Sequence, residues 1–181
     1  MLRAMESTFA PLDLTLRNGR VVHVRAMVPT DEEEILQAFE RLGSQSRYMR
    51  FMHSVREANR QRLRDALASF PDKGLSIAAT VPAEDGIDIV GAATFIIGPG
   101  PHTCEFAISV ADDWGGAGLG GALLAVLIEA ARRRGLREMT GFVLAENQPM
   151  LRLAGRLGFE IARDPDDYAV RLCRLPLGES A

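Results

Sequence analysis

Lysine is almost missing from this 181-residue chain: Lys73 is the only one among 21 Lys and Arg residues. Every other basic side chain is a guanidinium, which stays protonated and cannot serve as an amine nucleophile. Cysteine is nearly as scarce. Cys104 and Cys173 stand in strand-like runs at no metal-ligand spacing, which fits small core residues in a reducing compartment better than a disulfide or a nucleophile. His23, His53 and His102 form no cluster, so no metal site and no Ser/His/Asp arrangement is expected. No apolar run reaches the ~18–20 residues of a membrane span. The first residues, "MLRAMESTFAPLDL", contain no apolar signal segment, so the expected location is the cytoplasm, with no membrane partner. A net charge of −3 carries no electrostatic footprint for nucleic acid.

The composition is that of a globular domain, 47% hydrophobic and 25% charged, and the length suffices for one core without staples. The expected organisation is a mobile lead at 1–11, one domain over 12–177 and a short tail at 178–181. "LDLTLRNGRVVHVRAM" alternates about Asn18-Gly19 and reads as a hairpin. "PTDEEEILQAFERLG" reads as a helix, opened by a Thr30/Glu33 capping box and closed by Gly43. "SQSRYMRFMHS" has no clear period, and "REANRQRLRDALASF" reads as a helix. "LSIAATV", "IDIVGAATFII" and "TCEFAISV" follow as an antiparallel meander. A long helix then runs to about Arg134, with Leu123, Leu124, Leu127, Ile128 and Ala131 on one face and Gly135 as its stop. A strand "EMTGFVLA", a short helix "NQPMLRLAGRLG" and a closing hairpin "FEIARDPDDYAVRLCRL" complete one mixed α/β unit.

Between the meander and the long helix lies "WGGAGLGGALL", with five glycines in the seven positions 115–121. Gly116 to Gly121 match the dinucleotide fingerprint GxGxxG, but a doubly wound sheet does not fit in the roughly sixty residues that follow, and no acid is placed for a ribose. No Gly-Lys-Ser/Thr follows either, so a Walker loop is excluded. A glycine-rich turn into a helix still presents backbone N–H groups at the positive end of a helix dipole. Such a turn suits a pyrophosphate.

The order of "EFAISV", "WGGAGLG", helix, "GFVLAEN" and "NQPMLRLAGRLGF" resembles the GNAT superfamily of acyl-CoA-dependent N-acyltransferases, from about Leu12 to Leu177. Within it, "SRYMRFM", "CEFAISVADDW" and "AENQPMLRLAGRLGF" are most similar to the catalytic domain of bacterial Pat-like protein lysine acetyltransferases. The resemblance implies a mostly antiparallel sheet of six to seven strands flanked by about four helices. It implies acetyl-CoA as co-substrate, held at Gly115, Gly116, Ala117, Gly118, Leu119, Gly120 and Gly121, with Ile108, Ser109 and Val110 along the pantetheine arm and Asn147 and Met150 beside it. Two positions depart from the family pattern. The Gln or Arg that opens the family's loop is Gly115 here, and the tyrosine seven residues after the helix Asn is Ala154.

Strand alternation puts Glu105, Ala107 and Ser109 on one face and Cys104, Phe106, Ile108 and Val110 on the other. Glu105 is thus an acid beside small residues, and the resemblance implies that it is the general base; a solvated strand carboxylate is the alternative. Asn147 reads equally as a helix N-cap, and Met150 as a core residue. Arg47, Tyr48, Arg50 and Phe51 are candidates for the acceptor side or for a hinge between helices. The expected activity is acetyl transfer to a primary amine by direct attack in a ternary complex, with a protein lysine, such as one on an acyl-CoA synthetase, as acceptor. The alternatives are acylation of a small amine, or acyl-CoA binding without catalysis.

Overall fold

The computed structural model describes residues 9–178. Of the expected lead and tail, residues 1–8 and 179–181 lie outside the described residues. Phe9 packs, partly buried, against the core.

Eight strands form one sheet: β1 (Leu12–Thr15), β2 (Val21–Ala26), β3 (Gly74–Ala83), β4 (Gly86–Ile97), β5 (Thr103–Val110), β6 (Glu138–Leu144), β7 (Glu160–Arg163) and β8 (Val170–Pro176). Their order is β1-β2-β3-β4-β5-β6-β8-β7, and every pairing is antiparallel except β5 with β6. Among the described residues five α-helices accompany them: α1 (Glu32–Arg41), α2 (Ser44–Phe51), α3 (Arg60–Ser69), α4 (Leu119–Arg133) and α5 (Gln148–Arg156). The expected counts were six to seven strands and about four helices. The eight strands are those of the two hairpins, the three meander runs and the single strand read from the sequence; the lower count was the one the resemblance implied. The extra helix is α2, whose mixed Arg, Tyr and Met sequence hides its period because it buries no residue.

The start of α1 also differs from expectation. No Thr30/Glu33 capping box forms; Pro29–Asp31 makes a 3-10 turn and Asp31 becomes the residue before the helix. Its carboxylate accepts two 2.8 Å bonds from the Arg25 guanidinium on β2 and a third, also 2.8 Å, from the Val28 N–H. That bidentate ion pair fixes where the helix begins. Gly43 is not the stop of α1 but the residue before α2, in extended conformation.

The core lies between the sheet and α4. Leu119, Leu123, Leu124, Leu127, Ile128 and Ala131 are all buried, and burying each large apolar side chain stabilises the fold by roughly 1.5–3 kcal/mol. The helix sits close to the sheet because β4 carries glycine at position 91. A Cβ there would stand 2.9 Å from Leu123 Cδ1 and 3.2 Å from Leu119 Cδ2. Gly135, at φ +76°, ends the helix as expected. Among the described residues no helix is long and apolar enough to cross a membrane.

Candidate active site

β5 is paired along its whole length on one side only. Against β4 it runs in register from Cys104 opposite Ile97 to Val110 opposite Gly91. Against β6 it makes three pairs: Thr103 with Glu138, Cys104 with Met139 and Glu105 with Thr140. Beyond Glu105 the two strands diverge, while β6 continues against β8 to Leu144. The Phe106 ring fills the room that Gly141 leaves on β6, where any Cβ would overlap it, and lies 5.2 Å from the Phe159 ring. The divergence leaves the β6-facing backbone edge of residues 106–110 without a strand partner, a ready-made template for an extended ligand.

Into this gap opens a cleft of about 870 Å³, walled by β5, the glycine loop with the start of α4, the β6–α5 segment and one side of α2. Gly115 to Gly118 form the loop. Gly116 and Gly118 adopt φ of +80° and +88°, which L side chains rarely tolerate. Gly118 precedes α4 without any side-chain cap bond, so the first N–H groups of a 15-residue helix face the cleft with no acceptor from a cap. Gly120 and Gly121 belong to the first turn of α4 and not to the loop. A Cβ added at Gly116 would meet nothing within 4 Å. An open, uncapped cradle of this kind, continuous with a free strand edge, fits the pyrophosphate and pantetheine parts of acetyl-CoA.

Glu105 is exposed on the cleft, at the last rung before the strands part. Arg50 on α2 lines the same cleft, half-buried, with its guanidinium 4.8 Å over the Phe51 ring. Burial pulls the Arg50 pKa down, and the Glu105 carboxylate pushes it back up. Ile108, Ser109 and Val110 line the cleft, as do Asn147 and Met150. Asn147 is also the N-cap of α5, accepting from the Met150 N–H at 3.3 Å. Ala154 is fully buried, and neither of the two tyrosines lines the cleft.

Three of the four acceptor-side candidates lie elsewhere. Arg47 donates to the carbonyls of Phe39, Glu40 and Arg56 and covers the Phe39 ring at 4.4 Å, so it ties α2 to α1. Phe51 packs edge-on against Phe39 at 5.8 Å. Tyr48 sits beside Glu146, whose carboxylate pushes the phenol pKa up. The helix turns these side chains away from the cleft, and only Arg50 faces it. Two further residues, one beside the site and one lining it, carry no sequence signal. Asp112 accepts from the Gly43 N–H at 3.0 Å and from Ser46 Oγ at 2.6 Å, joining chain segments more than sixty residues apart. Arg17, on the β1–β2 turn, lines the cleft next to Gly118.

Residues 36–159 match the model of the acetyltransferase (GNAT) family. The chain belongs to that family. It is 32% identical to acetyltransferase PA5475 of Pseudomonas aeruginosa, over 90% of this chain and 88% of that protein. It is 28% identical to acetyltransferase Pat of Mycolicibacterium smegmatis over 82% of this chain. It spans 44% of the length of that Pat. Among solved structures the GNAT domain of S. lividans PAT superposes with a TM-score of 0.84 at 23% identity, covering 92% of this chain and 96% of that domain. This GNAT protein is an acetyltransferase.

Proposed function

We propose that this GNAT acetyltransferase acylates a primary amine of the lysine side-chain kind, with Glu105 as general base. The observation that carries the reading is the position of Glu105: an exposed carboxylate at the last β5–β6 rung, where the free strand edge begins. An alkylammonium of pKa about 10.4 is protonated at neutral pH and must lose a proton before it can attack. Glu105 accepts that proton directly or through one water, a service typically worth ~10²–10⁴-fold in rate. Bound acetyl-CoA supplies the acetyl group as an activated thioester. The N–H and C=O groups of residues 106–110 hold the pantetheine arm as an added strand, Asn147 and Met150 flank it, and the loop with the first turn of α4 holds the pyrophosphate. No tyrosine is needed for the departing sulfur, since a thiol pKa of about 8.5 makes the thiolate a tolerable leaving group.

Met52 and Phe142, 38% and 42% exposed, stand at the cleft mouth. Apolar flanks suit the methylene stem of a lysine whose ammonium reaches inward. Residues 12–177 act as one acyltransferase domain in this reading, and a lysine on an acyl-CoA synthetase is a suitable first protein acceptor. Arg50 favours a second reading. It is a half-buried cation with no carboxylate within 4 Å among the described residues, which suits an acceptor that carries its own carboxylate, as a free amino acid does.

Glu105→Gln keeps the size and removes the base. Acetyl-CoA affinity should persist while kcat falls about 10²-fold or more on any acceptor; full turnover across pH 6–9 would return Glu105 to a solvated strand carboxylate. Lysine peptides and free amino acids are then compared on wild type and Arg50→Ala. Lysine peptides should be the better substrates and should survive the substitution. A preference for free amino acids that Arg50→Ala abolishes selects the second reading.

A further inference from the structure

The loop carries glycine at position 115, so its own sequence offers no side chain to the pyrophosphate. A guanidinium arrives there from the opposite end of the chain. Arg17 sits on the β1–β2 turn, whose shape is set locally: the Leu16 N–H donates to the Arg20 carbonyl at 2.8 Å, Gly19 adopts φ +83°, and Asn18 Oδ1 accepts from the Arg20 N–H at 3.1 Å. The turn is pinned to the loop by the Arg17 N–H, which donates to the Ala117 carbonyl at 3.3 Å. The Arg17 side chain then lies over the cradle. Its Nε, Nη2 and Cζ stand 3.1, 3.4 and 3.5 Å from the point where a Gly118 Cβ would be.

We propose that Arg17 binds the pyrophosphate of coenzyme A, replacing the side chain missing at Gly115; this rests on reading the cleft as the acetyl-CoA site. Three observations favour a ligand over a purely structural role. Arg17 is exposed and makes no ion pair within 4 Å among the described residues. It stands at the N-terminus of α4, where a cation is repelled by the helix dipole unless an anion comes between them. It also differs from its neighbour Arg20, whose guanidinium is committed to the Trp114 ring at 3.2 Å. Arg17 lines both the main cleft and a second hollow of about 530 Å³ shared with Asn18 and Gly115 to Ala117, so its planar fork lies between the two spaces. A guanidinium there can donate two parallel hydrogen bonds to phosphate oxygens.

The test is calorimetric binding, without turnover, of coenzyme A, dephospho-coenzyme A and S-acetyl-pantetheine to wild type, Arg17→Ala and Arg17→Lys. Arg17→Ala should weaken coenzyme A and dephospho-coenzyme A alike, by roughly 10- to 100-fold, the usual range for charge-assisted bonds. S-acetyl-pantetheine, which has no pyrophosphate, should bind as to wild type. Arg17→Lys should fall between, keeping the charge and losing the fork. The unliganded melting temperature of Arg17→Ala should match or exceed that of wild type, because a cation leaves a helix N-terminus. Wild-type affinity of Arg17→Ala for coenzyme A overturns the proposal. A loss confined to coenzyme A and absent with the dephospho form assigns Arg17 to the 3′-phosphate instead. Equal loss with S-acetyl-pantetheine, or a lowered melting temperature, makes Arg17 a structural residue. Failure of wild type itself to bind coenzyme A overturns the cleft reading, and Arg17 with it.

Discussion

A Cβ added at Gly120 would meet Leu153 at 3.6 Å, Val110 at 3.7 Å and Ile108 at 3.9 Å, all ordinary van der Waals contacts inside the first turn of α4. Packing therefore does not demand glycine there, and helix propensity argues against it. Gly120→Ala should stabilise the protein by about 0.5–1 kcal/mol while adding a methyl group to the cleft wall. The expected result is a higher melting temperature with weaker coenzyme A binding by calorimetry; unchanged affinity would mean that this glycine serves no ligand. Gly118 cannot separate these effects, since its φ of +88° strains any other residue. Residues whose role depends on local spacing were legible in the sequence. The glycine cluster shows in a short window, and strand alternation alone puts Glu105 opposite buried Cys104 and Phe106. Arg17 and Asp112 were not legible, because their roles arise from contacts between distant segments. Arg47 and Phe51 stayed ambiguous for the converse reason: an aromatic and basic cluster reads as a binding surface or as a hinge between helices until the helix is oriented, and here both pack on Phe39.

α2 is held by contacts of its Arg47 and Phe51 to α1 and not by a buried face. It buries no residue and its preceding Gly43 offers no side-chain cap, yet it carries Arg50 and Met49 to the cleft. Its N-terminus is anchored by Asp112, from the turn between β5 and the glycine loop, through Gly43 N–H and Ser46 Oγ. One carboxylate thereby couples α2 to the segment that leads into the glycine loop. Asp112→Ala should cost about 0.5–2 kcal/mol, the range for losing a helix cap, read from the urea midpoint. It should raise KM for the amine with little change in coenzyme A affinity. An unchanged amine KM in a destabilised variant would show that α2 does not form the acceptor wall. The missing buried face explains why α2 had no clear period in sequence, whereas α4, with six buried apolar residues, was unmistakable. The parting of β5 from β6 was equally invisible. Both strands alternate normally, and only their pairing shows that the ladder stops at Glu105.

Over the whole molecule, two buried features should bound stability in pH. On the acid side, burial pushes the Asp31 pKa up, but the Arg25 guanidinium and the Val28 N–H outweigh it and hold the carboxyl below its ordinary 3.8. A depressed carboxyl contributes stability that is present above pH 3.8 and lost as pH falls below it. On the alkaline side, burial pushes the Cys104 thiol from its ordinary 9.0 up to about 12, and Cys173, also fully buried, moves in the same direction. A thiol raised in the folded state favours folding fully below pH 9.0, and that contribution is lost as pH rises toward the folded value, because the unfolded chain ionises first. For Cys104 alone the loss at pH 10 is on the order of 1 kcal/mol. Urea midpoints measured from pH 3 to 11 should therefore show a plateau with declines at both ends. Asp31→Asn should flatten the acid decline from a lower plateau, since it leaves Arg25 without its carboxylate. Cys104→Ala should flatten part of the alkaline one. Both thiols should also resist alkylation at pH 8 in the folded protein and react together on unfolding. Alkylation of the native protein, or an alkaline decline that Cys104→Ala leaves intact, would place the alkaline limit in some other group.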